Sequence, residues 1–218
     1  MKKIVLILIL AISACSPQKS ITDRVTLTSP DGDLSMEFLL EDGIPMYTLK
    51  HKGTDVLLPS RLGFEIRGSM KSALIRFDGD HITKSDVKPS FLLDRNFELL
   101  CTSNSSFDEY WEPVWGEESS IRNHYHELLV ELKQKESGHL LNIRFRLFDD
   151  GLGFRYEFPD KQRLTHFAIK EELTEFAMAD DCFAWWIPGD YDTQEYEYGE
   201  CKLSEIEENF KEQIWANS

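Results

Sequence analysis

The chain has 218 residues, of which 12% are aromatic, and it carries a formal net charge of −15. This length is sufficient for one large β domain or two small domains. So acidic a surface repels phosphate backbones, which argues against nucleic acid as a partner, whereas it attracts divalent cations and does not repel neutral carbohydrate.

The first 22 residues are predicted to be an export signal and a tether rather than part of the fold. Lys2 and Lys3 precede an apolar run, Ile4–Ile12, that is too short to span a bilayer. The following Ser13-Ala14-Cys15 completes a sequence similar to the bacterial lipobox, in which cleavage leaves the cysteine lipidated at the new N-terminus. We therefore expect a signal peptide over 1–14, a lipid-anchored tether over 15–22, and a place in the cell envelope, in the periplasm or at the outer membrane. The alternative is an ordinary cleaved signal with an unmodified Cys15.

From residue 23 onward the pattern is that of an antiparallel β protein. Apolar runs between turn residues predict strands over 25–28, 34–39, 45–50, 56–58, 62–67, 90–93, 96–101 and 128–132. The clearest pair is 141–148 and 154–158, where apolar and charged residues alternate on either side of the turn Asp149–Gly153. We interpret Asp149 and Asp150 as capping that turn through their own backbone. Only Leu203–Ile214 has helical spacing, so a sandwich or barrel is favoured.

The segment Tyr110–Glu127 combines two tryptophans, four glutamates, an Arg-Asn pair and two histidines. It is either a binding loop or a long hairpin that packs its own tryptophans. On a strand His124 and His126 would share a face, as a zinc pair does, but no cysteine or third histidine accompanies them. The alternatives are two partly exposed histidines bonded to Glu127 or solvent, or a histidine that works with a glutamate as acid and base on a sugar.

The segment Ala184–Tyr198 joins two tryptophans to a run of tyrosines and carboxylates. Aromatic faces beside acids suit a sugar, and clustered acids suit calcium. An EF-hand loop is excluded because Glu195 stands where that motif requires glycine. The competing interpretation is an acidic, solvated strand edge. The three cysteines after the tether have no zinc spacing, so we expect buried thiols, with a Cys182–Cys201 disulfide as the alternative.

Three motifs follow one another along the chain. They are Trp115-Gly116-Glu117 with Ile121-Arg122-Asn123 and Tyr125, then Phe145-Arg146 with Phe148-Asp149-Asp150-Gly151 and Gly153-Phe154-Arg155-Tyr156, and finally Ala184-Trp185-Trp186-Ile187-Pro188 with Tyr191-Asp192 and Glu195-Tyr196. In residue type, order and spacing they resemble the N-terminal domain of glycoside hydrolase family 97, which comprises bacterial α-glucosidases and α-galactosidases. The resemblance covers essentially the whole mature chain.

The resemblance implies an all-β fold, a β-supersandwich similar to galactose mutarotases, with antiparallel strands and at most short helices. In the family this domain packs against a (β/α)8 barrel that carries the catalytic acid and the base or nucleophile. It also contributes one glutamate to an active-site calcium ion shared with the barrel. By motif that residue is Glu195, with Glu197 as the alternative. The substrate-pocket residues implied in the same way are Trp185, Trp186, Asp192, Trp115, Glu117 and Asn123.

The function implied is that of the sugar- and calcium-site domain, over 23–218, of an exported α-glycosidase acting on α-linked glucosides or galactosides. We expect the chain to stop before the catalytic barrel and to be inactive alone, because glycoside hydrolysis needs two carboxyl groups that flank the scissile bond. Whether the bond is cleaved with inversion or retention depends on those groups and is left open. Two alternatives remain: a stand-alone carbohydrate-binding lipoprotein without activity, and a mutarotase-like epimerase.

Overall fold

The computed structural model describes residues 24–67, 77–78, 81–82, 90–159, 167–189 and 196–217, which are mostly β-structure. The strands are β1 (Arg24–Thr28), β2 (Leu34–Glu41), β3 (Ile44–His51), β4 (Thr54–Arg61), β5 (Phe64–Arg67), β6 (Phe77–Asp78), β7 (His81–Ile82), β8 (Phe91–Leu93), β9 (Phe97–Trp111), β10 (Ile121–Gln134), β11 (Leu140–Leu147), β12 (Leu152–Glu157), β13 (Ala168–Glu172), β14 (Phe183–Trp186) and β15 (Gly199–Lys202). A 3-10 turn, Leu203–Glu205, leads into the helix α1 (Ile206–Asn217).

Two antiparallel sheets, in the orders β1-β2-β3-β4 and β12-β11-β10-β9, form the body of the domain. A smaller sheet has the order β13-β5-β8, and β14-β15 and β6-β7 form two further two-stranded sheets within the described residues. The two large sheets share one hydrophobic core, in which the rings of Phe38 on β2 and Phe145 on β11 have centroids 6.3 Å apart. The predicted all-β sandwich of antiparallel strands is therefore confirmed.

The alternation along β11 decides which side of its sheet is buried. Leu141, Ile143, Phe145 and Leu147 are completely buried in the core, while the intervening Arg144 and Arg146 lie on the opposite, outer face. Each such apolar side chain stabilises the fold by about 2 kcal/mol relative to exposure. A slip of the strand by one residue would bury the two arginines instead, so the pattern fixes the register.

The segment 110–127 is part of a long β-hairpin. β9 continues to Trp111 and β10 starts at Ile121, which lie opposite each other, so only residues 112–120 form the connection. The tryptophans are not packed inside the hairpin, however, because Trp111 and Trp115 are both exposed. The strand predicted over 96–101 therefore extends ten residues further, held by its pairing with β10.

The turn between β11 and β12 is closed by the Phe148 N–H, which donates to the Gly151 carbonyl at 2.8 Å. The Asp149 carboxylate accepts a hydrogen bond from the Asp31 backbone N–H at 2.9 Å. The interpretation that Asp149 caps its own turn is thus wrong. The carboxylate instead connects this turn to the turn between β1 and β2, because the two sandwich sheets bring their ends together.

Cys182 and Cys201 are not joined to each other, so the alternative of a disulfide between them is not realised. Of the three thiols expected to be buried, Cys101 and Cys201 are buried as predicted, whereas Cys182 is exposed. The helix predicted over 203–214 is confirmed by the 3-10 turn and α1. Within the part of the chain that the structure describes, no helix combines the length and apolar character needed to cross a bilayer. The predicted signal peptide, the tether and Cys15 lie outside the described residues.

Candidate functional site

The hairpin β14-β15 carries the two adjacent tryptophans. Trp186 pairs with Gly199 and Trp185 with Glu200. The connection 187–198 therefore joins two residues, Trp186 and Gly199, that lie opposite each other. Because side chains alternate along a strand, the two tryptophans point to opposite faces of the hairpin. Trp185 is 70% exposed, and its ring face is open to a ligand.

Trp186 is held by contacts within the domain. Its indole N–H donates to the Cys201 sulfur at 3.1 Å, and its ring centroid lies 6.4 Å from that of Phe210 on α1. A Cβ added to Gly199 would come within 2.7 Å of the same ring, so only glycine lets the indole lie flat across β15. Trp186 thus joins the hairpin to the helix, and Trp185 is the tryptophan of the pair that offers an accessible face.

The base of this hairpin is fixed by polar contacts. The Asp181 carboxylate accepts hydrogen bonds from the Ser204 backbone N–H at 3.0 Å and from its hydroxyl at 2.9 Å. These bonds, backbone first, lower the pKa of Asp181, so the contact persists at neutral pH. On the other side Lys202 Nζ lies 4.5 Å from the centre of the Phe183 ring. These contacts connect the start of β14, which carries Trp185, to the end of β15 and to the 3-10 turn.

The predicted calcium ligand Glu195, its alternative Glu197 and the predicted pocket residue Asp192 all belong to the connection 187–198. Asp192 and Glu195 lie outside the described residues, and Glu197 is exposed two residues before β15. Among the residues that the structure describes, no group of three or more His, Cys, Asp or Glu side chains is placed to hold a metal ion. The described part of the chain therefore does not supply a complete ligand set by itself, and a calcium ligand at Glu195 stays a prediction.

The β9-β10 hairpin carries the other predicted pocket residues. Trp115 is 88% exposed in the connection, and Glu117 is exposed beside it. Asn123 is half-buried on β10, opposite Glu109 on β9. These three residues thus lie on one hairpin of a large sheet, whereas Trp185 and Trp186 lie on a separate two-stranded hairpin.

An ion pair stiffens the tip of the β9-β10 hairpin. Arg122 donates from Nε and Nη2 to both oxygens of Asp108, at 2.8 and 2.7 Å, and its guanidinium lies 5.7 Å from the centre of the Tyr110 ring. Hydrogen bonding to Arg122 lowers the pKa of Asp108. The exposed aromatic surface therefore rests on a fixed backbone.

The two histidines lie on one face of β10, as the sequence predicts, and one of them contacts the backbone of β1. His124 and His126 share a face of β10, with ring centroids 6.4 Å apart, but Nδ1 of His126 lies 2.7 Å from the Thr28 carbonyl oxygen and is engaged there. Glu127 is bonded to Arg144 and Arg146 rather than to a histidine. Burial raises the pKa of Glu127, but the two arginines outweigh it and hold that pKa below its ordinary value. Such a carboxylate is a poor proton donor near neutral pH, so the acid–base arrangement of a mutarotase finds no support here.

The sequence did not reveal how the charges on the outer face of the β9–β12 sheet are paired. Glu127 and Glu157 accept hydrogen bonds from three arginines of β11 and β12, namely Arg144, Arg146 and Arg155. The alternation of charged and apolar residues places these side chains on one face, but their cross-strand partners depend on the register. In that register Arg146 faces Glu127 and Arg144 faces Arg155.

Comparison with known proteins gives a consistent result. A family model described as the glycosyl hydrolase 97 N-terminal domain matches residues 27–216. The fold is similar to a glycoside hydrolase family 97 enzyme from Pseudoalteromonas sp. strain K8, solved in complex with acarbose and, as a variant with one glutamate changed to glutamine, in complex with panose. Each match has a TM-score of 0.67 and 28% sequence identity, and covers 82% of this chain and 24% of that enzyme.

A second solved structure shares the fold. A β-arabinopyranosidase matches with a TM-score of 0.59 and 21% identity over 75% of this chain and 23% of its own. The chain therefore spans about a quarter of the length of the enzymes that it matches.

Proposed function

The chain belongs to glycoside hydrolase family 97, as its N-terminal domain, and on that premise we propose that it forms the sugar- and calcium-binding side of the active site of an exported α-glycosidase. The substrates are α-linked glucosides or galactosides. The complexes of the Pseudoalteromonas enzyme with panose and acarbose support an oligosaccharide as the ligand.

The observation that carries this proposal is the placement of Trp185. Its exposed ring stands on the strand that leads directly into the connection 187–198, where the predicted calcium ligand Glu195 lies. We propose that the carboxylates of this connection bind the hydroxyl groups of a sugar ring stacked on Trp185. Aromatic stacking and carboxylate hydrogen bonds together recognise one face and the edge of a pyranose.

We propose that Glu195 gives one oxygen ligand to calcium, with Glu197 as the alternative, and that the catalytic barrel gives the others. Calcium takes six to eight oxygen ligands, so one carboxylate alone holds it weakly. The bound ion would fix the orientation of sugar hydroxyls and stabilise negative charge near the bond to be cleaved. Asp192, Trp115, Glu117 and Asn123 remain proposed contacts of the substrate, and Cys15 remains the proposed point of lipid attachment.

The contact with sugar is tested by changing Trp185 to alanine. We expect the purified chain to bind panose weakly, with saturable quenching of tryptophan fluorescence, and Trp185→Ala to weaken that binding about tenfold because the stacking face is lost. Ile169→Ala removes another exposed apolar side chain, one that is 50% exposed on β13, and serves as the control. Unchanged panose affinity in Trp185→Ala would show that this ring does not contact the sugar.

The calcium role is tested in the protein that also contains the barrel. There Glu195→Gln replaces a charged ligand by a neutral one, so calcium affinity and the rate of hydrolysis should both fall by at least about tenfold. Glu197→Gln is the matched variant, and it should have the smaller effect. If both variants keep wild-type calcium affinity, the metal ligand is elsewhere.

A stand-alone carbohydrate-binding lipoprotein is the second candidate, favoured by the free exposure of Trp115 and Trp185. It predicts that the chain alone binds maltooligosaccharides as tightly as the protein that includes the barrel does. The proposal above predicts much weaker binding by the chain alone, because half of the pocket belongs to the barrel. Parallel titrations of both proteins separate the two.

A further inference from the structure

The outer face of the β9–β12 sheet holds a small cavity that the proposed function does not use. It has a volume of about 200 Å3 and is lined by Arg144, Arg146, Phe148, Gly153, Phe154 and Arg155. Three of its lining side chains are therefore cationic, in a chain whose formal net charge is −15. A concave surface concentrates the field of the charges that line it, so this spot attracts anions although the molecule as a whole repels them.

The arginines of the cavity are only partly neutralised. Arg144 uses all three of its guanidinium nitrogens: it donates to Glu127 through Nη1 and to Glu157 through Nε and Nη2. Among the described residues, Arg146 donates one hydrogen bond, from Nε to Glu127 at 2.8 Å. Arg155 likewise has Glu157 as its only described acceptor. Three guanidinium groups against two carboxylates leave one positive charge.

Arg146 is also held in place from behind. Its guanidinium carbon lies 4.4 Å from the centre of the Tyr125 ring, and that ring contacts Phe107 and Phe148 at centroid distances of 5.3 and 5.2 Å. Stacking fixes the plane of the guanidinium, while its two Nη groups have no hydrogen-bond acceptor among the described residues. An ordered guanidinium loses little entropy when it binds an anion, which favours a ligand over a mobile counterion.

Gly153 forms the floor between the two incompletely used arginines. It lies directly opposite Arg146 across the strand pair and two residues before Arg155 on the same face. A Cβ added there would meet no atom within 4 Å, so the space above the glycine is open. An alanine or larger residue would occupy that space.

We propose that Arg146 and Arg155 bind a small carboxylate above Gly153, a site that is separate from the stacking surface at Trp185. The carboxylate receives charge-assisted hydrogen bonds from both guanidinium groups, a geometry to which the planar fork of arginine is suited. The cavity volume admits a single pyranose, and Phe148 offers an apolar wall, so a uronic acid fits better than acetate, which has no ring. A neutral sugar lacks the group that the arginines recognise.

The test follows the Gly153 amide and the Arg155 Nε–H by nuclear magnetic resonance in the 15N-labelled full chain. Sodium glucuronate and sodium acetate should each shift both signals in a saturable way, with glucuronate binding more tightly. Glucose, and sodium chloride at matched ionic strength, should leave them unchanged. Absence of a saturable shift with either carboxylate, or equal shifts with glucose or chloride, overturns the proposal. Panose serves as an internal reference, because its binding near Trp185 is reported by the indole signal and is independent of these arginines.

Variants provide the second arm. Arg155 is 63% exposed, so Arg155→Gln should fold normally and weaken glucuronate binding about tenfold. Gly153→Asp places an internal carboxylate in the gap. It should abolish glucuronate binding and melt at a higher temperature than Gly153→Asn, which has the same shape without the charge.

Gly151→Asp is the matched control, because it adds the same charge at a neighbouring glycine that also has open space around it. Its affinity for glucuronate should remain at the wild-type value. Wild-type affinity in Gly153→Asp would also refute the site. Thermal unfolding of every variant shows that a lost signal reflects lost binding and not a lost fold.

Discussion

Glu127 lies on the outer face of its strand, yet only 10% of its side chain is exposed. Its two oxygens are shared between Arg144 and Arg146, and Arg144 continues the chain of contacts to Glu157. A carboxylate removed from water to this extent is stable in its charged form only while both arginines remain. The residue therefore couples β10 to β11 and, through Arg144, to β12.

Glu127→Gln should lower the free energy of unfolding by about 2 kcal/mol, because it leaves two arginines without their shared acceptor. Urea denaturation at neutral pH measures the change. Glu98→Gln is the control: it breaks an exposed pair with Lys133 whose atoms are 3.5 Å apart, and should change stability by less than about 0.5 kcal/mol. Equal effects of the two substitutions would show that the network is no stronger than an ordinary surface pair.

The same residue sets a pH dependence. The folded state holds the pKa of Glu127 below the ordinary 4.5, so its contribution to stability is complete above about that pH. As the pH falls from 4.5 through the lowered pKa, this contribution is lost. The reason is that Glu127 is protonated at a higher pH in the unfolded state than in the folded state, so acid favours unfolding. Wild-type stability should therefore fall more steeply with acid than that of Glu127→Gln. Parallel curves in acid would contradict this assignment.

The three cysteines of the domain differ in their exposure to reagents. Cys182 is exposed, whereas Cys101 and Cys201 are buried. Iodoacetamide should modify Cys182 in the native chain at least about a hundredfold faster than the other two, because a buried thiol reacts only after local opening. Peptide mass spectrometry measures the rates, and in urea all three should react alike. Rapid native labelling of Cys201 would mean that the β14-β15 hairpin opens readily from Trp186.

At the scale of elements, the sequence was most informative where one face of a strand is buried. The alternation of apolar and charged residues predicted β11, β12 and their turn because every second side chain enters the core. It could not predict the second half of β9, where residues 104–111 are exposed on both faces and only pairing with β10 makes them a strand. β13 is similarly exposed and was also missed.

The sequence indicated Ala184–Tyr198 as a candidate site but did not show how its side chains are arranged. Two adjacent tryptophans suggested a sugar surface, but their sequence does not show that Trp186 bonds to Cys201 while Trp185 faces solvent. That division follows from the register of β14 with β15, which brings Gly199 under the Trp186 ring. The partners of Glu127 could not be predicted either. His126 is its neighbour in the sequence, whereas Arg144 and Arg146 approach it only through the pairing of β10 with β11.

The corner between β4 and β5 depends on one glycine. Gly63 has φ +154°, and a Cβ there would lie 2.6 Å from the Leu93 carbonyl oxygen and 2.7 Å from the Asp94 Cα. Both are backbone atoms that cannot move aside, so Gly63→Ala should separate β5 from β8 and lower the free energy of unfolding by about 3 kcal/mol. Chemical denaturation measures this. Gly151→Ala, in open space, should change stability by less than about 0.5 kcal/mol, and a similarly small effect at Gly63 would mean that the corner relaxes without cost.

At the scale of the whole molecule, the hydrophobic core and the net charge have opposite effects on stability. The core of two packed sheets stabilises a compact state, while a formal net charge of −15 opposes it by self-repulsion. The charge is not evenly distributed: the cavity on the outer face is lined by three arginines, whereas the connection after β14 is rich in carboxylates. Cations screen this charge in general, and under the proposed function calcium would also bind at a particular site; comparing different cations separates the two effects.

Calcium and magnesium chloride at equal concentration screen the net charge equally but differ in coordination. Calcium requires six to eight oxygen ligands, and we propose that this domain supplies one of them. The two salts should therefore raise the thermal midpoint of the chain by the same amount, to within about 1 °C, and sodium chloride at matched ionic strength should come close to both. In the protein that includes the barrel, calcium alone should add a further stabilisation that Glu195→Gln removes. A calcium-specific rise in the chain by itself would show that the connection 187–198 already holds enough carboxylates to bind the ion, and that the barrel is not needed for that step.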